Sequence, residues 1–444
     1  MPETYRVVIV GGGFGGLYAA KALKRAPVSV ELIDKRNFHL FQPLLYQVAT
    51  GSLSPGEIAA PLRSILSKQR NTQVLLGEAV DIDPNARRVI LRDGAEIGYD
   101  SLIVASGSQS SYFGHNEFAT WAPELKTLED ATAIRHKILV AFEAAERIAD
   151  PEERRAWLTF VIVGGGPTGV ELAGALGEIA NYTLKHDFRS IRPEESRILI
   201  VDGGERVLAN YPKDLSVKAE KQLIRLGVRV RTGLVVIGVD ENGVTMRTKS
   251  GEEQHIHSYT VIWAAGVAIS EFGRMLARRT GAETQKSGQI MVASDLTIPQ
   301  YPNIYVVGDL AFVKRPDGRP LPGVAQVAMQ GGAYAARTIV KRLKGEKDIK
   351  PFHYFDKGDL AVIGRAAAVA NIFGVHVSGF PAWLVWLFIH LMYIVEFQSR
   401  VLVFIQWGFL YLTYNRGARL ITGTAARNLV TQKPAHFVAG VESE

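Results

Sequence analysis

Cysteine is absent from all 444 residues of the chain. Disulfide frameworks, dithiol redox pairs, cysteine-ligated iron–sulfur clusters and cysteine-based zinc sites are therefore excluded within it. Low-complexity tracts are missing too, and no Ser/His/Asp arrangement for nucleophilic catalysis can be picked out. His255 and His257 alternate along one apparent strand with no carboxylate partner at metal-ligand spacing, so no metal site is expected. The first apolar run, Val7 to Val10, is short and has no basic segment before it, unlike a secretory signal. The expected location is the cytoplasm or the cytoplasmic face of the cell membrane. Acidic residues are outnumbered, 44 against 51 Lys and Arg, which leaves a formal net charge of +7. That balance suits anionic cofactors or an anionic membrane surface, and nucleic acid is not expected as a partner.

What is present is an internal repeat, in a chain long enough for two or three domains. Val7-Val8-Ile9-Val10 runs into Gly11-Gly12-Gly13-Phe14-Gly15-Gly16 and a small-residue helix. Phe160-Val161-Ile162-Val163 runs into Gly164-Gly165-Gly166-Pro167-Thr168-Gly169 and another. Each copy is a β-branched strand, a G-x-G-x-x-G turn and a helix, the arrangement that binds a dinucleotide. Gly11 and Gly164 permit the tight turn, and Gly13 and Gly166 let a pyrophosphate approach the backbone. Gly16 and Gly169 allow close packing of helix on strand, and the helix N-terminus offers free N–H groups to phosphate. An acid ends a second strand after each copy. Asp34 stands where a ribose hydroxyl is expected, and Asp202 does the same at longer range. A carboxylate at Asp202 favours NADH over NADPH, because it accepts from a 2′-hydroxyl and repels a 2′-phosphate. Arg206, four residues on, is the feature that argues the other way.

Two further strands, ending in Gly107 and Gly266, match between the halves, and Pro302 to Val307 leads into Gly308-Asp309. With these motifs the chain resembles the two-dinucleotide-binding-domain flavoproteins. The resemblance implies an α/β fold with two Rossmann-like domains. Non-covalent FAD would lie on residues 1–115 and 290–345 and NAD(H) on 116–289, with Gly107, Gly308 and Asp309 on the FAD side and Gly266 on the NAD side. Residues 346–444 form a C-terminal region expected to be helical and membrane-anchoring.

Without cysteine, the electrons leave for a carrier protein, oxygen or a quinone. Gln326 and Gln330 lie four apart on one face of an apparent helix, where their amides suit a quinone carbonyl or are simply surface glutamines. Gly331-Gly332 would let a flat ring approach. From Phe380 to Tyr414 the chain is apolar and aromatic, interrupted by Glu396 and Arg400, and is followed by Arg416, Arg419, Arg427 and Lys433, a pattern suited to the membrane–water interface. Two helices, 382–395 and 401–414, are expected to dip into one leaflet, with a spanning helix or a soluble core as the alternatives. Neither shows a wide polar face, so each must bury its second side, and a homodimer is one way to do so.

FAD, NADH, the missing cysteine, the paired glutamines and the tail together resemble the type II NADH:quinone oxidoreductases, single-subunit dehydrogenases that do not pump protons. The resemblance implies ubiquinone or menaquinone as acceptor and a lipid bilayer surface as partner. It makes Gln326, Gln330 and Lys357 quinone-site candidates and Glu171 a carboxylate near the nicotinamide. By residue type alone, Glu171 is a helix-surface acid and Lys357 an ordinary exposed lysine. His39 reads as a packed histidine beside the flavin strand. A soluble ferredoxin or rubredoxin reductase, or a flavin-binding scaffold resembling apoptosis-inducing factor, would share the motifs.

Overall fold

The structure is a computed structural model that describes residues 4–315, 318 and 320–421. Arg427 and Lys433 lie outside the described residues. In chain order the elements that matter begin with β1 (Arg6–Val10), α1 (Phe14–Ala22), β2 (Ser29–Asp34), β3 (Thr72–Leu76) and β4 (Ser101–Val104). Next come β5 (Thr159–Val163), α2 (Pro167–Glu178), β6 (Arg197–Asp202), β7 (Val228–Thr232) and β8 (Thr260–Trp263). The last third holds β9 (Tyr301–Val306), α3 (Ala325–Leu343) and the hairpin strands β10 (Asp359–Gly364), β11 (Ala367–Ile372) and β12 (Val375–Ser378). Helices α4 (Phe380–Tyr393) and α5 (Phe397–Thr413) close the described chain.

The chain divides into two compact units. Unit 1 takes the described residues up to Leu40, Ala59–Gln109 and Val267–Asp356. Its main sheet is parallel in the order β9-β4-β1-β2-β3, with Thr297–Ile298 antiparallel on the β9 edge. The crossover from β2 and β3 on one side of β1 to β4 and β9 on the other opens a crevice at the carboxyl ends of the strands, beside the Gly11–Gly16 turn. Sequence motifs start the second FAD-side segment at residue 290, whereas this unit already includes Val267. Ile269, Phe272 and Leu276 explain the earlier start, since they share a core with Val8 of β1 and Leu102 of β4.

Helix α3 crosses α1 in this unit. A Cβ on Gly332 would overlap the Gly15 carbonyl oxygen, whereas one on Gly331 would meet only ordinary contacts, the nearest at 3.5 Å. Gly332 is therefore needed for helix packing, which replaces the expected role in admitting a flat ring.

Unit 2 takes Phe41–Ile58, Ser110–Gly266 and the described residues from Lys357 onward. Its sheet is the parallel order β7-β6-β5-β8. The β10–β11 hairpin belongs here because β10 lies against α2. A Cβ on Gly174 would overlap the Ile363 carbonyl, so backbone meets helix with nothing between.

The tail helices start and stop slightly earlier than expected, with Arg400 inside α5. Its guanidinium donates to the Ile394 carbonyl at 2.6 Å and so satisfies the end of α4. At 1.5 Å per residue the 14 and 17 residues of α4 and α5 reach about 21 and 26 Å, short of the roughly 30 Å of a bilayer core. Among the described residues no helix is long and apolar enough to cross a membrane. Each helix has two apolar sides. Ala382 and Trp386 of α4 and Val403 and Trp407 of α5 are buried within unit 2. Phe380, Leu384, Phe388 and Met392 form an exposed stripe on α4, and Phe397, Phe404, Phe409 and Leu412 are exposed on α5. The inward side is thus covered inside the chain, without a second copy.

Arg416 departs from its expected place at the lipid interface. It is buried, donates to Glu178 at 2.8 Å and to the Thr50 hydroxyl at 3.0 Å, and also bonds Ser52. A guanidinium this far from water needs a carboxylate, and Glu178 of α2 provides it.

Gly332→Ala should lower the thermal or urea midpoint by the equivalent of about 1–3 kcal/mol, the usual cost of overpacking. Gly331→Ala should be neutral or slightly stabilising, because alanine is the better helix former by about 1 kcal/mol. Equal effects from the two variants would remove Gly332 from the helix crossing.

Candidate active site

The two glycine turns are built alike. Gly11 and Gly164 adopt φ of +105° and +112°, and each N–H donates to the strand alongside, to Ile33 and Val201, both at 2.8 Å. A side chain at either glycine would strike backbone: that of Ala105 in unit 1, and that of Ala264, 2.7 Å away, in unit 2. A Cβ on Gly16 or Gly169 would overlap the carbonyl of Gly11 or Gly164. Gly13 and Gly166 face open space at the N-termini of α1 and α2, neither of which has a side-chain cap. The orphan N–H groups of those helix ends are the ones that phosphate oxygens would meet.

The two acids tie down their turns. Asp34 accepts from Gly12 N–H at 2.5 Å and Arg36 N–H at 2.7 Å; Asp202 accepts from Gly165 and Gly204 N–H, each at 2.6 Å. Burial raises the Asp34 carboxyl against the pull of those amides. A carboxylate has about four lone-pair sites, so each acid keeps capacity for a ribose hydroxyl. His39 is buried with Nδ1 3.0 Å from the Gly12 carbonyl, to which it donates, and burial lowers its pKa to about 4. It is a neutral, packed histidine, and it clamps the residue that Asp34 holds from the other side.

The late Gly-Asp lies in unit 1 as expected. Gly308 has φ +72°, and the Ser108 hydroxyl, one residue past Gly107, donates to Asp309 at 2.6 Å. Helix α3 starts here without a side-chain cap. Ala328 in its first turn meets the Cβ positions of both Gly15 and Gly308, at 3.5 and 3.2 Å. The G-x-G-x-x-G turn, Asp309 and the helix bearing Gln326 are thereby brought together. The Gln330 amide, four residues on, donates to the Phe355 carbonyl and accepts from the Phe355 N–H, each at 3.0 Å. That reciprocal clasp uses one N–H and one lone pair of the amide and holds the side chain in place.

In unit 2, Gly266 is pressed against Ser111 and Phe113. Beyond the turn, α2 presents Glu171 and Glu178, seven residues apart on one face, to a cavity also lined by Tyr46, Gln47, Trp386 and Arg416. Removal from water pushes the Glu171 carboxyl up to about 8, while the Val362 amide pulls the other way. Gln47 accepts from Trp407 Nε1 at 2.7 Å and donates to the Tyr46 hydroxyl at 2.8 Å. Tyr46, Gln47, Glu178 and Arg416 carry no motif; only the seven-residue spacing from Glu171 marks Glu178 in the sequence. Lys357 is exposed and donates to the Tyr393 hydroxyl of α4 at 2.8 Å. Among the described residues no cluster of three or more His, Asp or Glu could hold a metal ion.

Residues 5–332 match the pyridine nucleotide-disulphide oxidoreductase family. The type II NADH:quinone oxidoreductase Ndh of Mycobacterium tuberculosis is 46% identical over 430 residues, 96% of this chain and 92% of that protein. NdhA of the same organism is 48% identical over 425 residues, covering 94% and 89%. The chain belongs to the type II NADH:quinone oxidoreductases. Its fold is also that of the Plasmodium falciparum NDH2 solved in complex with NADH. That match has a TM-score of 0.84 at 20% identity, over 95% of this chain and 100% of the other. A sulfide:quinone oxidoreductase from Aquifex aeolicus is similar at a TM-score of 0.70 and 17% identity, covering 96% and 94%. The type II assignment agrees with the absence of cysteine, because the disulphide in the broader family's description has no counterpart here. Two cradles that only glycine can line fit the two dinucleotides of a flavin-dependent NADH oxidoreductase.

Asp202→Asn removes the charge and keeps one of the two oxygens that accept from the Gly165 and Gly204 amides. The preference for NADH over NADPH, read as the ratio of kcat/KM values, should narrow by about 1–3 kcal/mol, roughly 5- to 150-fold. Equal use of both coenzymes by the unaltered enzyme would remove this role. For Glu171, a raised carboxyl keeps its proton where the unfolded chain has released it. Its contribution to stability therefore falls as pH rises from the ordinary carboxylate range to about 8. Urea midpoints of Glu171→Gln should fall less between pH 5 and 8 than those of the unaltered protein; parallel curves would place Glu171 in water.

Proposed function

We propose that the chain transfers two electrons from NADH through FAD to a membrane quinone, while resting on the bilayer surface through α4 and α5. NADH, one proton and quinone become NAD⁺ and quinol. The observation that carries this reading is the duplicated glycine cradle in a chain with no cysteine. Two dinucleotides are held, and no thiol is present to receive the electrons.

When bound, FAD supplies a carrier that accepts a hydride equivalent and returns electrons to an acceptor. Unit 1 holds its pyrophosphate at the Gly11–Gly16 turn, its ribose at Asp34 and its ribityl chain at Asp309. Unit 2 holds NADH through Gly164–Gly169 and Asp202. Gln326 offers an uncharged donor to a quinone carbonyl, and Gln330 steadies Phe355. In unit 2, Lys357 is exposed and tied to Tyr393, a candidate cation for an acceptor carbonyl. Glu171 carries a proton at neutral pH in the cavity of unit 2 and is suited to act there as an acid. The exposed stripes of α4 and α5 put Phe380, Leu384, Phe388 and Met392, with Phe397, Phe404, Phe409 and Leu412, on the surface, and a lipid headgroup layer is the matching partner. We place the enzyme on the cytoplasmic face of the cell membrane, with ubiquinone and menaquinone both chemically suitable.

Rapid mixing separates the half-reactions. Gln326→Leu keeps the side-chain volume and removes the amide. Flavin bleaching by NADH should stay near the unaltered rate, and reoxidation by quinone should slow about 2- to 13-fold, the worth of one neutral hydrogen bond. Unchanged reoxidation would make Gln326 a helix-surface residue and reopen the case for a carrier-protein acceptor.

A further inference from the structure

We propose that Arg365 binds the phosphate of an anionic phospholipid, one of whose acyl chains lies in the apolar slot between α4 and α5. The proposal rests on the bilayer-docking reading of those helices and adds a defined lipid site to it.

Arg365 sits in the turn between β10 and β11. Its N–H donates to the Glu178 carboxylate, and Ala366 after it takes a left-handed φ of +57°. The guanidinium centre lies 4.3 Å from the ring centroid of Tyr411 and 4.4 Å from that of Tyr414. Tyr414 in turn stacks on Tyr182 at 4.5 Å and 18°. Aromatic rings cover a guanidinium by its faces and leave its in-plane N–H donors untouched. No carboxylate or carbonyl among the described residues accepts from them. The neighbouring cations are spent, Arg416 on Glu178 and Arg419 on Asp187. A fixed cation with a free planar fork suits bidentate contact with a phosphate.

The slot supplies the other half of an amphiphile. Phe380, Trp383, Leu387, Phe404 and Trp407 line it together with Tyr411, the ring that covers Arg365. Gly408 also borders it, and a Cβ there would meet nothing within 4 Å. Acyl chain and anionic head are thus provided for on either side of one tyrosine. A quinone would fill the slot but has no charge for Arg365, so the anionic lipid is the better complement.

The test uses the full-length flavoprotein in detergent, titrated with short-chain phosphatidylglycerol or phosphatidylcholine and read by native mass spectrometry. One phosphatidylglycerol per chain should bind in preference to phosphatidylcholine. Arg365→Gln should weaken it by about tenfold or more, the scale of hydrogen bonds to a charged group. Arg365→Lys should be intermediate, and Gly408→Leu should exclude the chain with Arg365 intact; the flavin spectrum certifies the fold of each. Equal binding of the two lipids, or unchanged binding in Arg365→Gln, overturns the site. So does a Gly408→Leu variant that raises the quinone KM while phosphatidylglycerol still binds, because the slot then serves the acceptor. Flotation with phosphatidylcholine vesicles tests the docking face separately. All variants should float, and failure of the unaltered protein to do so would sink the docking reading while the detergent titration still decides the lipid site.

Discussion

The contact on which both nucleotide sites depend is backbone against backbone. In unit 1 the first glycine of the turn lies against Ala105, and in unit 2 its equivalent lies against Ala264. Only glycine allows strand end and turn to come that close. The closeness in turn sets the helix N-terminus at the carboxyl edge of the sheet. Each acid then holds two backbone amides and keeps acceptor capacity for a ribose hydroxyl. The doubled geometry follows from one local constraint used twice in one chain.

Much of this was legible because it is local. A strand, six residues of turn and a helix are contiguous, and their spacing alone assigns Gly11, Gly13 and Gly16 or Gly164, Gly166 and Gly169. Asp34 and Asp202 were reachable because a strand end recurs at a regular distance. Other features depend on partners far away in the chain. Gly332 serves Gly15 and not a flat ring, a fact that no pattern around residue 332 contains. Gln330 spends its amide on Phe355, which the spacing from Gln326 cannot reveal. Arg416 reads as an interfacial cation because it follows an apolar run, yet its carboxylate lies 238 residues earlier.

The tail shows how apolar periodicity can mislead about the number of covers a helix needs. With little polarity on any side, α4 and α5 look short of partners. Trp386 and Trp407 pack against each other at 5.1 Å, tilted by 37°, and fill the inward side, and Gln47 takes the Trp407 indole N–H. Only the outward stripes then remain to be accounted for. The same helices thus contribute to the interior of unit 2 and leave an exposed apolar face, the one proposed to meet the bilayer.

The ion pair between Arg416 and Glu178 has a consequence for biosynthesis. Glu178 is made early and has its buried partner only when one of the last described residues arrives. Until then its carboxylate faces a cavity whose aromatic wall is also unmade. In the finished chain, removing either partner would leave the other buried alone, at a cost of about 3–5 kcal/mol. A chain that stops short of Arg416 therefore leaves Glu178 without this partner. The pair thus forms only in a chain that has reached Arg416, long after both nucleotide motifs have been made.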